Sequence, residues 1–508
     1  MRNKKKLTSL MLTAAMISTM VAGCGGNSDT PAATTAAPTT TAAGGSNNAT
    51  TAAQQTDAPA PAEVAKPDSI HWMVHDGMSE ENGTAQWVEE FERLTGIKMN
   101  LEIVSNNEYN TILELAFASG SVPDVFDLNG EQKLGVYANQ NAVYDMTSLI
   151  ENSELYGKVD SQLWDALRIN GKLYGVPPEV ASGAVTYVRK DWLDRLGMKV
   201  PTNYQEFTDM LRAFKDNIEE CTVPLTSPGV FNTQNLPEFY QDASTDFVKV
   251  NGEWIDGFAQ DNMAAAMTRL RDAYAEGLID LEVITNTTGV CRDQWYGGSV
   301  GVFNYWGGNW GQTLTERLQV NVPEADVLAM DPIEGATYLF SVPKVIVMSN
   351  KLGDDKAASI FKYFIEYMHD GGEGQVLFQS GVENLHWKQE GDNLVPLPSL
   401  SKPEETLRKA WITPWMSISP LEVTDKQLEL HPACVDSLAV INKFGVQKTA
   451  FPVSDTLNKI SADLKIIREE ILAKVLVGDM TVEEGVAKYK ENAEMLNVQK
   501  VLDELNGK

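Results

Sequence analysis

The sequence predicts an α/β chain folded as two lobes joined by a hinge. Three observations carry this expectation. The chain has 508 residues, too many for one ordinary core, so two domains are expected. From Ile70 the pattern runs strand–helix–strand–helix–strand over about sixty residues, the signature of parallel strands joined by right-handed crossovers. At Gly171–Met198 two short strands flank Pro177-Pro178, Glu179 and the small-residue run Ala181–Ala184. Paired prolines remove two N–H donors and interrupt any central ladder, as a chain leaving one sheet for another requires.

The amino terminus reads as an export signal. Arg2, Lys4, Lys5 and Lys6 precede an apolar stretch, Leu7–Val21, which ends in small residues and is short for a membrane span. Val21-Ala22-Gly23-Cys24 follows. Residues Gly25–Pro67 have no aromatic residue, and their only charges are Asp29, Asp57, Glu63 and Lys66. Such a stretch cannot bury enough apolar area to fold, so 24–67 is expected to be a disordered Thr/Ala/Pro tether.

Ile70–Val74 reads as the first strand, and His75-Asp76-Gly77 as its exit. Gly83–Thr95 is expected to be a helix, with Trp87, Val88, Phe91 and Leu94 at helical spacing and Gly96 as its cap. Met99, Leu101 and Ile103 alternate as a strand. Tyr109–Ser119 is a second helix, and Pro123–Asp127 a third strand and its exit. Ligands of such sheets sit beyond the carboxyl ends of the strands, which points to His75, Asp76, Asp127 and Asn129. Thr202–Ile218 is an amphipathic helix, Pro224–Pro237 is turn-rich, and Val250–Trp254 reads as a hairpin. A helix over Met263–Gly277 follows. Val300, Val302 and Asn304 fit a strand, with Tyr305, Trp306 and Trp310 among glycines at its exit. Ser341–Met348 is an apolar strand and Lys356–Met368 a helix. From Lys402 the chain is mostly helical, with Trp411 and Trp415 between helices.

The formal charge is −29, from 41 basic and 70 acidic residues, which argues against nucleic acid as a partner. Cys221, Cys291 and Cys434 fit no zinc or haem spacing, and a disulfide among them stays open. Gly297–Gly301 spells G-x-S-x-G, but its apolar strand follows the serine, whereas a nucleophile elbow needs it before. No Walker A sequence and no H-E-x-x-H occurs, so no cofactor and no metal is expected. A glycosidase needs only two carboxylates, and no pair stands out.

Aromatic residues carry the positive signal among the eleven tryptophans. Sugar rings stack their C–H faces on aromatic rings, and their hydroxyls need amides and carboxylates at the edges. Trp306, Trp310, Trp387, Trp411 and Trp415 stand in Gly- or Pro-flanked loops or at helix junctions. Core packing is the alternative for any one of them; Trp72, Trp87 and Trp192 lie on regular elements and are expected in the core. Glu179, at the lobe crossing, is either a cleft carboxylate or a solvated hinge charge.

Tyr174, Gly175 and Pro177, then Tyr187, Arg189, Lys190, Asp191, Trp192 and Leu193, then Leu196, Gly197 and Pro201, form a pattern that resembles the extracellular solute-binding proteins of carbohydrate ABC importers, of the Gram-positive lipoprotein type. Ser119–Gly130, Glu276–Asp280, the Gly381–Trp387 corner and Gly478-Asp479 continue the resemblance in order from about Ile70 to the C-terminus. Val21–Cys24 resembles a lipobox, which implies removal of residues 1–23 and acylation of Cys24. The resemblance implies a type II periplasmic-binding-protein fold with mixed sheets flanked by helices. Lobe 1 is expected over 68–179 plus 338–383 and lobe 2 over 180–337 plus 384–508, with crossings near 176–182, 332–341 and 380–387. It further implies a non-enzymatic monomer anchored to the extracellular face of the cell membrane, delivering a sugar or oligosaccharide to ABC permease subunits. Trp306 stands where the family places an aromatic stacking platform. A surface sensor or scavenger, a peptide-binding importer component and, last, a glycoside hydrolase are the alternatives.

Overall fold

In a computed structural model, residues 64–508 are described apart from 76–78, 106–107, 130–132, 160, 179–181, 342–343, 401–426, 429, 448–451 and 453. Cys24, Asp76, Glu179, Trp411 and Trp415 lie outside the described residues, as does most of the expected tether.

The opening pattern folds as its periodicity requires. β1 (Ser69–His75) runs parallel to β2 (Lys98–Val104) and to β3 (Val125–Asn129). Helix Thr84–Thr95 connects the first two, buries Trp87 and Phe91 on one face, and is closed by Gly96 at φ +70. Helix Tyr109–Ser119 makes the second connection. The chain then forms β4 (Gly175–Val176), β5 (Ser182–Arg189) and β6 (Val223–Thr226). A hairpin of β7 (Phe247–Val250) and β8 (Glu253–Asp256) follows, then β9 (Val300–Trp306), β10 (Val327–Met330) and β11 (Leu339–Ser341). β12 (Lys344–Met348) precedes a small sheet of β13 (Trp387–Glu390), β14 (Asn393–Pro396) and β15 (Gln427–Leu428). β16 (Val446–Gln447) comes last.

Two mixed sheets organise these strands. The first has the order β2-β1-β3-β12-β4, with β12 antiparallel to both neighbours. The second has the order β16-β11-β5-β9-β6, and β10 also pairs with β5. One core joins residues of 70–176 to residues of 345–378 around the first sheet. The second sheet has a core on each face because strand side chains alternate. Val188 and Val302 face Phe207, Phe214 and the C-terminal helices, whereas Val185, Tyr187, Phe303 and Tyr305 face Trp295, Leu314 and Ile441.

Sheet membership sets the second crossing between Ser341 and Lys344, and the third after β15. Ser341–Met348, expected as one strand, is two: β11 ends in the second sheet and β12 begins in the first. Pro343, which has no N–H to give a ladder, stands between them in the sequence. The third crossing falls after β15, not near 380–387. His386 Nε2 pairs with the Asn82 carbonyl (2.9 Å) and Ser399 Oγ donates to Asn82 Oδ1 (2.8 Å), which holds the β13–β14 segment to the first lobe. Helix Pro432–Phe444 then packs on β5 and β10 of the second.

The glycine-flanked aromatics after β9 also differ from expectation. Trp310 opens a helix, Asn309–Asn321, entered through Gly308 at φ +64. Ser299 follows helix Thr288–Tyr296 and precedes β9, the reverse of a nucleophile elbow. Among the described residues no disulfide joins Cys221, Cys291 and Cys434. Among them, too, no helix is long and apolar enough to cross a membrane, and no His/Cys/Asp/Glu group is arranged to hold a metal ion.

Candidate functional site

Two of the crossings run side by side. β4 leads toward β5, and β11 toward β12. β4 pairs antiparallel with β12 through Val176 and Ile346, and β5 pairs antiparallel with β11 through Ser182 and Ser341. The Leu339 carbonyl lies against Gly183 so closely that a Cβ there would meet it at 2.9 Å. A side chain at 183 would push the two hinge strands apart.

β9 ends beside this hinge, with Trp306 opposite Ala184. Six residues of β9 are buried; Trp306 alone is exposed, at 37%. Its backbone is fixed: Tyr187 Oη donates to the Trp306 carbonyl (2.9 Å), and the Gly307 N–H donates to the Gly183 carbonyl (3.0 Å). The chain therefore holds the Trp306 ring at the lobe junction on a rigid strand end. Tyr305 points to the opposite face of the sheet, is buried, and stacks on Phe303. Trp310 meets Tyr305 edge-on at 5.0 Å and carries the Arg292 guanidinium over its ring at 5.1 Å.

The face of β9 that bears Trp306 also bears a buried polar cluster. Thr186 Oγ1 donates to Glu238 Oε1 (2.6 Å), Tyr338 Oη donates to the same oxygen (3.2 Å), and Asn304 Nδ2 donates to Thr186 Oγ1 (2.9 Å). Asn304 Oδ1 is buried and has no hydrogen-bond partner among the described residues. Burial pushes the Glu238 carboxyl up to about 7, against the opposing pull of its hydroxyl donors. Sequence reasoning missed Glu238. It sits in the short helix Pro237–Tyr240, after a turn-rich stretch whose residues follow no period.

Across the junction, the backbones of His75 and Asn129 end adjacent parallel strands at their carboxyl ends. The Asp127 side chain turns inward and is buried, with Lys344 Nζ 3.8 Å away. Tyr109 Oη both donates to the Asp127 carbonyl and accepts from its N–H, and burial with the nearby carboxylate raises the phenol well above its ordinary range. Trp387 is buried with Val376 and Leu394, and its Nε1–H donates to the Gly381 carbonyl (2.9 Å). The structure thus brings Tyr305 and Trp310 together on one face of β9, leaves Trp306 on the other, and sets His75 and Asn129 at the carboxyl ends of adjacent strands. Trp387 belongs to a separate buried cluster.

A cavity of about 630 Å³ opens between helix Lys133–Asn139 and helix Asp455–Val477. Its wall includes Phe231, Asn232, Thr245, Asn458 and Ser461. Nothing in the sequence pattern marked these residues, because the wall is assembled from segments far apart in the chain.

Residues 77–359 match the family model described as bacterial extracellular solute-binding protein. Among curated proteins, the chain is similar to the lipoprotein LipO of Bacillus subtilis (strain 168), 20% identical over 58% of this chain and 63% of that one. It is also similar to the melibiose/raffinose/stachyose-binding protein MelE of the same organism, 26% identical over 27% of this chain and 31% of that one. The chain thus spans less than two thirds of either relative. Among solved structures, the N-glycan transport solute-binding protein NgtS from Streptococcus pneumoniae in complex with Man5GlcNAc superposes with a TM-score of 0.57. That likeness, at 18% identity, covers 87% of this chain and 97% of the other. The shared fold is the two-lobe, type II periplasmic-binding-protein fold.

Proposed function

The chain belongs to the bacterial extracellular solute-binding proteins, and from that premise we propose that it captures a sugar or oligosaccharide between its lobes and delivers it to an ABC permease. The observation that carries this reading is the ring of Trp306, held exposed at the hinge on an otherwise buried strand. An aromatic face fixed in that way stacks on the C–H face of a sugar. Tyr305 and Trp310 brace the strand exit behind it. Glu179, His75, Asp76 and Asn129 supply hydroxyl partners from the hinge and the first lobe. Ligand held by both lobes favours the closed state, because only that state makes both sets of contacts.

The chain acts by binding, without turnover, as a monomer. Cys24 carries the acyl chains that hold it to the outer face of the cell membrane, and residues 25–67 lift the lobes away from it. Proteins of this family, and the relatives named above, are binding proteins, which supports this reading.

A thermal-shift screen of mono- and oligosaccharides, with peptides alongside, tests it. We expect stabilisation by at least one glycan, and an affinity about tenfold weaker in Trp306→Ala at unchanged melting temperature without ligand. Stabilisation by peptides alone, or an unchanged affinity in the variant, would overturn the reading.

A further inference from the structure

Helix Pro432–Phe444 packs through Val440 and Ile441 against Val185, Tyr187, Phe303 and Tyr305, on the face of the second sheet turned away from Trp306. Ser437 of this helix and Tyr187 of β5 are both buried there, so neither touches a ligand that rests on the ring. Both nevertheless hold the backbone around it. Tyr187 Oη donates to the Trp306 carbonyl (2.9 Å), and the buried Gly308 N–H donates to Ser437 Oγ (2.9 Å). The Ser437 hydroxyl gives its own proton to the Cys434 carbonyl (3.0 Å), so toward Gly308 it can only accept.

The loop that follows the ring is shaped to this helix. Gly308 stands at φ +64 and ψ −126, where any side chain would be strained. A Cβ on Gly307 would collide with Ile441. One on Gly311 would meet the Ala433 carbonyl at 2.5 Å, Ser437 Oγ at 2.9 Å and Tyr187 Oη at 3.0 Å. Ile441 also reaches within 3.8 Å of the Cβ position of Gly183, the hinge-strand residue whose carbonyl accepts from the Gly307 N–H. The Trp306 indole is exposed, so its direction follows the backbone that carries it, which limits the rotamers open to it.

We propose that Ser437 and Tyr187 are positioning residues for the stacking platform. Through them helix Pro432–Phe444, the element that the third crossing delivers to the second lobe, sets the direction of the Trp306 ring from behind the sheet. The proposal rests on the sugar-binding reading above for what the ring does, and adds the residues that hold it. Without the Ser437 hydroxyl the Gly308 N–H is buried with no acceptor, and the loop must turn to satisfy it. Without the Tyr187 hydroxyl the Trp306 carbonyl loses its donor. Either change moves the ring without removing a contact to the ligand.

Two measurements on the full chain test it. The first needs no ligand. In protein labelled with 5-fluorotryptophan, the fluorine resonance lost in Trp306→Ala belongs to Trp306. It should shift or broaden in Ser437→Ala and in Tyr187→Phe, while the resonances of Trp72 and Trp87 in the first-lobe core, assigned in the same way, hold still. An unmoved Trp306 resonance in both variants would overturn the proposal. The second is a calorimetric cycle with malto-, manno- and chito-oligosaccharides, run on whichever binds most tightly. Ser437→Ala and Tyr187→Phe should each weaken binding about fivefold or more in the wild-type chain, and less than about twofold in Trp306→Ala, because they act through the ring. Thermal melts establish that each variant is folded. Equal losses in the two backgrounds would place the effect in general loosening and sink the proposal. If no glycan binds at all, the sugar reading falls, and the fluorine resonance alone decides whether these residues hold the ring.

Discussion

Glu238 keeps a carboxyl group between the hydroxyls of Thr186 and Tyr338, on the sheet face that also bears Trp306. Its titration near 7 in the folded chain stands against about 4.3 in an unfolded one. Between these values the folded state holds a proton that the unfolded state has lost, so stability falls as pH rises through the window. The contribution is complete below about 4.3 and gone above about 7. Glu238→Gln, which cannot ionise, should flatten the dependence of melting temperature on pH between 4.5 and 7. The wild type should lose a few kcal/mol relative to it across that window. Parallel pH profiles in the two proteins would reject this. Ser299 offers the opposite case. Its G-x-S-x-G surroundings lie in a turn between a helix and a strand, and Ser299→Ala should leave glycan affinity within twofold by calorimetry. At this scale the sequence was legible where a residue's neighbours in the chain are its neighbours in space. Arg189 forks onto Asp191 (2.8 and 2.6 Å) and stacks over Trp192 at 4.4 Å, so the recognisable Arg-Lys-Asp-Trp run is a local structural clasp. Glu238 contacts residues 52 and 100 positions away, and no local pattern announces it.

Helix Asp455–Val477 shows what one element contributes through one side chain. Arg468 is nearly buried and binds Asp256 Oδ1 (2.9 Å), Asp246 Oδ1 (3.2 Å) and Tyr489 Oη (3.0 Å). It thereby ties the long helix to the β7–β8 hairpin and to helix Val482–Met495. Arg468→Ala leaves Asp256 charged and buried without its cation, which should destabilise the chain by about 3–5 kcal/mol in urea unfolding. Adding Asp256→Asn should recover part of that loss; a double variant no better than the single would place the loss in packing. Helices and strands with a clean period were legible from sequence, among them Thr84–Thr95, Tyr204–Asn217 and β9. The helix at Asn309 was not, because Gly307, Gly308 and Gly311 hide the Leu314–Leu318 spacing behind it.

For the whole molecule, two lobes were legible from length and from the proline break, but the sheet each segment joins was not. β11 and β12 are neighbours in sequence and belong to different sheets, and that is decided by pairing with β5 and with β3. If ligand draws the lobes together, the radius of gyration in solution scattering should fall when a binding glycan is added, and Trp306→Ala should need more glycan for the same change. An unchanged scattering curve at saturation would remove closure from the proposal. Cys24→Ala should abolish incorporation of labelled fatty acid into the protein; a variant that still takes up label would exclude Cys24 as the acylated residue.

The position of β12 between β3 and β4 has a consequence for the birth of the protein. The first lobe is encoded mainly at the front of the chain, yet an interior strand of its sheet is not made until all of β5 to β11 has been made. Closing so long a loop is entropically slow, and until it closes the edges of β3 and β4 stay open. A chain that crosses a membrane front end first therefore cannot finish its leading half early. It stays threadable until the strand that locks it has passed through, so that export and folding take their order from topology.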